Sequence, residues 1–169
     1  KAFLSMPRPI YMFVGRVAIE KNLDAFLSLD IPGTKNVVGD GPQLKELKAK
    51  FPETVFVGFL SGELLAQHLA AADVFVFPSL TDTFGIVLLD ALASGIPVAA
   101  YPVTGPVDVI TSDKVGKLDS NLKKAIADAL QLDAQDCRNY ALNYSWVNCT
   151  EQFFNNLVPA FEEIKEKES

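Results

Sequence analysis

The sequence of 169 residues is short of what many catalytic schemes need: it has one histidine, His68, and two cysteines, Cys137 and Cys149. A single histidine removes most metal-ligand sets and most imidazole-based acid–base schemes. Two cysteines are no disulfide framework, and both are expected reduced. No apolar run approaches the roughly 18 residues of a membrane span. Positive charge is also scarce: 15 Lys and Arg against 21 Asp and Glu leave a formal charge of −6, a poor basis for binding nucleic acid. What remains is ordinary globular material, 49% apolar and 21% charged. That balance argues against disorder and suffices for one domain with a real core.

Short, nearly all-apolar runs recur at Ile10–Val14, Asn36–Val38, Val55–Val57, Val74–Phe77 and Pro97–Ala100. Runs without alternation predict strands covered on both faces. Between them, Leu23–Leu29, Gln43–Lys50, Glu63–Ala71 and Ile86–Ala93 repeat apolar residues three or four apart, which predicts helices. Gly or Pro follows most strands, as in Val14-Gly15, Val38-Gly-Asp-Gly-Pro42, Val57-Gly58 and Phe77-Pro78. This alternation predicts an α/β fold with a doubly wound parallel sheet, whose ligands bind in the turns beyond the carboxyl ends of the strands. Beyond Tyr101 come short elements at Val107–Ile110 and Gly116–Leu118, then helices at Asn121–Leu130 and Gln135–Asn143. A last helix is expected after Ser145, a good N-cap, running toward Pro159, with a charged tail over Glu162–Ser169.

Two turns carry candidate chemistry. In the first, Gly15 permits a sharp turn, and Arg16 and Lys21 can converge on one anion, a fork and a point charge suited to a diphosphate. Alternatively both are surface charges, with Lys21 paired to Glu20 or Asp24. The second turn reads Asp82-Thr83-Phe84-Gly85-Ile86-Val87 and opens a helix that carries Asp90. Amides at such a start have no intrahelical acceptor and favour negative charge. Taken singly, Asp82 reads as a cap or Asx-turn and Asp90 as an exposed helix face. Together with Arg16 and Lys21 they suit a ligand bearing both phosphates and hydroxyls. His68, among apolar neighbours, reads as structural. Trp146 is expected to anchor the last helix against the sheet, and Phe75, Phe77, Phe153 and Phe154 to pack in the core or against another domain. A Rossmann dinucleotide site is disfavoured, since the first turn lacks G-x-G-x-x-G.

Five stretches, in order and with fitting gaps, resemble the C-terminal half of a retaining GT-B glycosyltransferase of the group 1 class, family GT4. They are Val14-Gly-Arg16 with Glu20-Lys-Asn22, Val38-Gly-Asp-Gly-Pro42, Val57-Gly-Phe59, Ala72 to Ser79, and Phe84-Gly85 through Asp90 to Val98. The resemblance implies a Rossmann-like nucleotide-sugar-binding domain over residues 10–145. Residues 1–9 would be a linker from a missing N-terminal acceptor domain, and 146–169 the crossing helix and its tail. It implies that Arg16 and Lys21 grip the donor diphosphate and that Asp82 touches the donor sugar. Thr83, Phe84, Gly85, Ile86 and Val87 would offer amides to sugar and phosphate, and Asp90 would hold the ribose. Gly15, Gly39, Asp40, Gly41, Gly58 and Phe59 would line the base and phosphate side. Both acidic positions are Asp where the family has Glu, so the motif is D-x7-D. Sugar transfer to an acceptor hydroxyl is then expected, without metal or other cofactor, and without turnover by this half alone. The implied partners are a nucleotide sugar and the missing domain. The location would be cytoplasmic, with membrane association only through that domain, and the last helix could pair two copies of the chain. The rival readings are a GT-B epimerase or phosphorylase, and a non-catalytic regulatory or assembly module.

Overall fold

The described residues form one sheet of six strands, whose central members are apolar on both faces. The computed structural model describes residues 6–158. It places β1 at Ile10–Val14, β2 at Thr34–Val38, β3 at Val55–Gly58, β4 at Val74–Phe77, β5 at Val98–Ala100 and β6 at Gly116–Leu118. Their order is β3-β2-β1-β4-β5-β6, and every neighbouring pair is parallel. This is the doubly wound order, with its switch point between β1 and β4. Alternation sorts the core into two layers. Tyr11, Phe13, Val74 and Val76 pack on one side, and Met12, Phe75, Phe77 and Val98 on the other.

Among the described residues the strands alternate with and are followed by eight helices: α1 (Leu23–Leu27), α2 (Leu44–Lys50), α3 (Gly62–Leu69), α4 (Ile86–Ala93), α5 (Pro106–Val109), α6 (Leu122–Ala129), α7 (Ala134–Ala141) and α8 (Trp146–Asn155). The first layer takes Leu23 and Phe26 of α1, Leu47 of α2 and Ile126 of α6. The second takes Leu69 of α3, Leu88 and Leu92 of α4, and Cys137 of α7. Helix starts follow local chemistry: Asn121, Asp133 and Ser145 each accept a backbone N–H of the helix that follows. The strands at Ile10–Val14 and Val74–Phe77 and the helix at Ile86–Ala93 lie where the sequence predicts them. β2 begins two residues earlier than expected, at Thr34. Polar Lys35 hides that extension from an apolar pattern, its ammonium satisfied by the Leu27 and Leu29 carbonyls. The helix expected over Gln135–Asn143 closes in a 3-10 turn, Leu142–Tyr144.

Before β1, the Pro9 carbonyl accepts from the Thr34 amide at 2.9 Å, and Arg8 pairs with Asp73. Trp146 overturns its expectation: it is 85% exposed, and α8 leaves Val147, Phe153 and Phe154 exposed as well. No sheet surface is left for the indole to cover, because α4 and α7 already occupy that face. Phe153 and Phe154 pack on each other instead, ring edge to face at 6.0 Å. No helix of the described residues is long and apolar enough to cross a membrane. Pro159 and the tail Glu162–Ser169 lie outside the described residues.

The loops after β1 and β2 continue the sheet's contacts beyond its edge. The Gly15 amide donates to the Val38 carbonyl at 3.0 Å, and the Val17 amide to the Asp40 carbonyl at 2.9 Å. Gly39 lies so close to Gly15 that a Cβ would overlap the Gly15 carbonyl oxygen, and its φ of 141° already disfavours a side chain. Gly39→Ala is therefore expected to destabilise the chain by about 3 kcal/mol, with a lower midpoint in thermal denaturation. An unchanged midpoint would show that the two loops do not need this approach.

Candidate functional site

The carboxyl ends of β1 and β4 diverge at the switch point, and their loops meet again above it. After β1 the chain passes Arg16, makes a 3-10 turn at Ile19–Lys21, and starts α1 from Asn22 in the left-handed conformation. Asn tolerates that conformation better than most residues with a side chain. Its Nδ2 donates to the Pro78 carbonyl at 3.1 Å, joining the β1 loop to the end of β4. Next to that clamp the Lys21 ammonium bonds the Asp82 carboxylate at 2.6 Å, with both side chains largely buried. The same ammonium lies 5.7 Å from the centre of the Phe77 ring. Lys21 thus pairs with neither Glu20 nor Asp24. Glu20 faces Arg16 at 3.9 Å, and Asp24 pairs with Lys50. Asp82 is also tied locally, its Oδ1 accepting from the Thr83 amide at 2.9 Å. A Cβ on Gly105, at φ 91°, would lie 3.4 Å from the Asp82 Cβ.

Two cavities take part of their lining from the two loops that carry this pair, through Arg16 in one and Phe84 in the other. One, of about 350 Å³, is walled by Gly15 and Arg16 after β1, Gly39 and Asp40 after β2, and Phe59 and Leu60 after β3. Its lining is mostly apolar with charge at the rim, and Phe59 is 76% exposed beside it. Gly15, Gly39, Asp40 and Phe59, expected on the base and phosphate side, line this cavity, whereas Gly41 and Gly58 lie in the same turns without lining it. The other, of about 640 Å³, lies between α4 and α8 and takes in Phe84, Ile86 and Asp90. The start of α4 borders the second cavity through Ile86, and Gly85 at φ 79° precedes it. Ile86 is 69% exposed, so the helix start is open rather than covered by chain. Its first amides have no intrahelical acceptors.

The structure therefore joins Lys21 to Asp82 and sets Arg16 with the glycine turns, while Asp90 faces the second cavity. Burial pushes the Asp90 carboxyl above its ordinary 3.8, although the side chain still reaches water. Several features escape sequence reasoning: the Asn22 clamp, the buried and unpartnered Ser79 hydroxyl at the end of β4, and the Tyr144 and Trp146 wall of the second cavity. Only Asn22, an Asn placed after a predicted turn, left a readable signal. The described residues hold no cluster of three His, Cys, Asp or Glu placed to bind a metal.

The profile of the family "Glycosyl transferases group 1" matches residues 8–132, which includes both loops of the switch point. The chain belongs to the group 1 glycosyltransferases. The sulfoquinovosyl transferase SQD2 of Arabidopsis thaliana is 39% identical over 115 residues, covering 65% of this chain and 22% of that protein. A GDP-mannose-dependent alpha-mannosyltransferase of Mycobacterium tuberculosis is 38% identical over 156 residues, 85% of this chain and 41% of the relative. The chain thus spans well under half the length of these two relatives. Among solved structures, the lipopolysaccharide outer core galactosyltransferase WaaB superposes with a TM-score of 0.76 at 18% identity, over 89% of this chain and 49% of that one. The catalytic domain of a cholesterol-alpha-glucosyltransferase from Helicobacter pylori gives 0.64 at 21% identity, over 82% of this chain and all of that one. These superpositions show that this group 1 chain shares the Rossmann-like fold of GT-B glycosyltransferases.

Two measurements probe the site of this family member without a ligand. In a double-mutant cycle on Lys21→Met and Asp82→Asn, urea denaturation should give a coupling of about 1 kcal/mol, since either single change strands a half-buried charge. Additive effects would mean the pair is not formed. Asp90 should behave oppositely. Its raised carboxyl favours the protonated form in the fold, so stability is lost as pH rises through the Asp90 value. Asp90→Asn should raise the melting temperature at neutral pH, and the gain should vanish below pH 3.8.

Proposed function

We propose that this chain is the donor-binding half of a retaining glycosyltransferase that moves a sugar from a nucleoside-diphosphate sugar to an acceptor hydroxyl. The observation that carries the reading is the Lys21–Asp82 pair at the switch point, in the same two loops that bring Arg16 to the glycine-lined cavity and lead into the open start of α4. Ligands of open α/β sheets bind at such a switch point. Relatives named GDP-mannose-dependent alpha-mannosyltransferase and solved structures of the same fold in complex with UDP support a nucleotide sugar as the donor.

In this reading the nucleoside enters the cavity between the turns after β1, β2 and β3. Its diphosphate lies across Arg16, Lys21 and the amides at the start of α4. Binding exchanges partners: the diphosphate takes the Lys21 ammonium, and Asp82 is freed to meet hydroxyls of the donor sugar. As the glycosidic bond breaks, charge grows on the departing diphosphate. Cations and amides already placed there lower the barrier without reorganising. These groups supply the positive charge that a divalent metal supplies elsewhere, so the proposal includes none. Asp90 accepts from the ribose hydroxyls. The acceptor wall belongs to a second domain, and this half alone binds the donor weakly and does not turn over.

Calorimetric titration with UDP, GDP and ADP in the presence of EDTA tests this directly. One of them should bind, and Arg16→Ala should weaken it by roughly 1.5–3 kcal/mol through loss of charge-assisted bonds. No heat with any nucleotide at millimolar concentration would favour a regulatory or assembly module. Equal affinity of the Arg16 variant would remove the diphosphate from that loop.

A further inference from the structure

The fold holds the two partners of the Lys21–Asp82 bond very differently. Lys21 stands on a braced turn: its amide donates to the Ala18 carbonyl at 3.0 Å, and the side chain of the next residue, Asn22, is tied to Pro78. Asp82 lies in the segment Leu80–Phe84, between β4 and α4. Among the described residues, that segment makes one hydrogen bond to another element, the bond to Lys21. Its other bond is local, from the Thr83 amide to Asp82. Leu80, Thr81, Thr83 and Phe84 around it are exposed, so packing adds little to its hold. When the ion pair opens, Asp82 is therefore the partner that moves, and Lys21 stays where the turn has placed it.

Two related ligands meet such a pair on unequal terms. The carboxylate already satisfies the ammonium. A nucleoside diphosphate has to displace it, and then leaves a second negative group beside its own phosphates. It offers that group no hydroxyl from a sugar, and a carboxylate can only accept. Its terminal phosphate also loses a second proton at about pH 6, so at neutral pH it repels Asp82 more than the esterified phosphate of a nucleotide sugar does. A nucleotide sugar brings hydroxyls that donate to the displaced carboxylate and offset the lost ion pair. Only such a difference between ligands can select one of them; an equal effect on both selects neither.

We propose that the Lys21–Asp82 pair is a latch that selects the intact nucleotide sugar over the product nucleoside diphosphate. It opens readily only for a ligand that gives Asp82 new donors, and it closes again once the sugar has left. Closing competes with the product diphosphate for Lys21 and so hastens its release. Asp82 is thus a specificity-determining residue, beyond its contact with the sugar hydroxyls. The latch rests on the donor reading above; what it adds is the sign of the Asp82 effect. Removing a residue that only holds the sugar leaves diphosphate affinity as it was, whereas removing a latch residue strengthens it.

Calorimetric titration of the chain with GDP, UDP, GDP-mannose and UDP-glucose, at fixed salt and with EDTA, reads the latch. Asp82→Asn keeps an oxygen for the ammonium, so the fold should tolerate it. It should tighten the nucleoside diphosphate that binds by about tenfold, the effect of removing one charged competitor. The matching nucleotide sugar should gain nothing or weaken, so the preference for it falls. Asp82→Ser should act in the same direction, which guards against a folding defect in one variant. Asp24→Asn makes the same change of charge at the pair with Lys50 and should leave the preference as it is. An unchanged preference in the Asp82 variants overturns the latch while nucleotide binding keeps the donor reading. So does an equal gain in Asp24→Asn, which would make the effect one of overall charge. No binding of any of the four ligands removes the donor reading, and the latch with it.

Discussion

Opposite charges from two distant loops meet at the centre of this molecule, and their meeting depends on how the sheet is wound. Lys21 and Asp82 are 61 residues apart, yet their side chains lie within 2.6 Å. They can do so because β1 and β4 are neighbours, with connections leaving in opposite directions. A parallel sheet puts every such turn at one end, and the change of winding direction opens a gap between two of them. The ion pair and the Asn22–Pro78 bond bridge that gap. A half-buried ammonium is unfavourable without a partner, and Asp82 supplies one.

That pairing has a consequence for binding. The cation is already neutralised, so an anion gains only the difference between its own contact and that of Asp82. Arg16 is in another position: its guanidinium is mostly exposed and meets Glu20 only at 3.9 Å. The two basic residues of one turn therefore play unlike parts. Arg16 is open to solvent, while Lys21 is held by Asp82. Asp90 differs again: partial burial raises its carboxyl above the ordinary value, although the residue is exposed.

The second layer of the fold closes differently. Where α4 and α7 pack, the sheet is fully covered, and α8 is left outside with its aromatic residues in water. The exposed Trp146, Phe153 and Phe154 form a surface that the core does not need. Trp146 at one end of the helix borders a cavity, while the two phenylalanines pack on each other further along.

The strand runs, the Gly and Pro turns, the helix caps and the five ordered motifs are local properties, and they were readable from the chain alone. Period, turn chemistry and capping act over a few residues, so the winding pattern, the family resemblance and the glycine-lined side of the site were all legible. Three things were not. Polar Lys35 concealed the start of β2, because the two carbonyls that satisfy it belong to the end of another element and the loop beyond it. The partner of Lys21 was among the residues singled out, but nothing local preferred Asp82 over Glu20 or Asp24. Trp146 reads as the anchor of the last helix against the sheet, but α4 and α7 fill that place and leave it exposed. Each is a question of which surfaces compete for one space, and that competition exists only once the whole chain has folded.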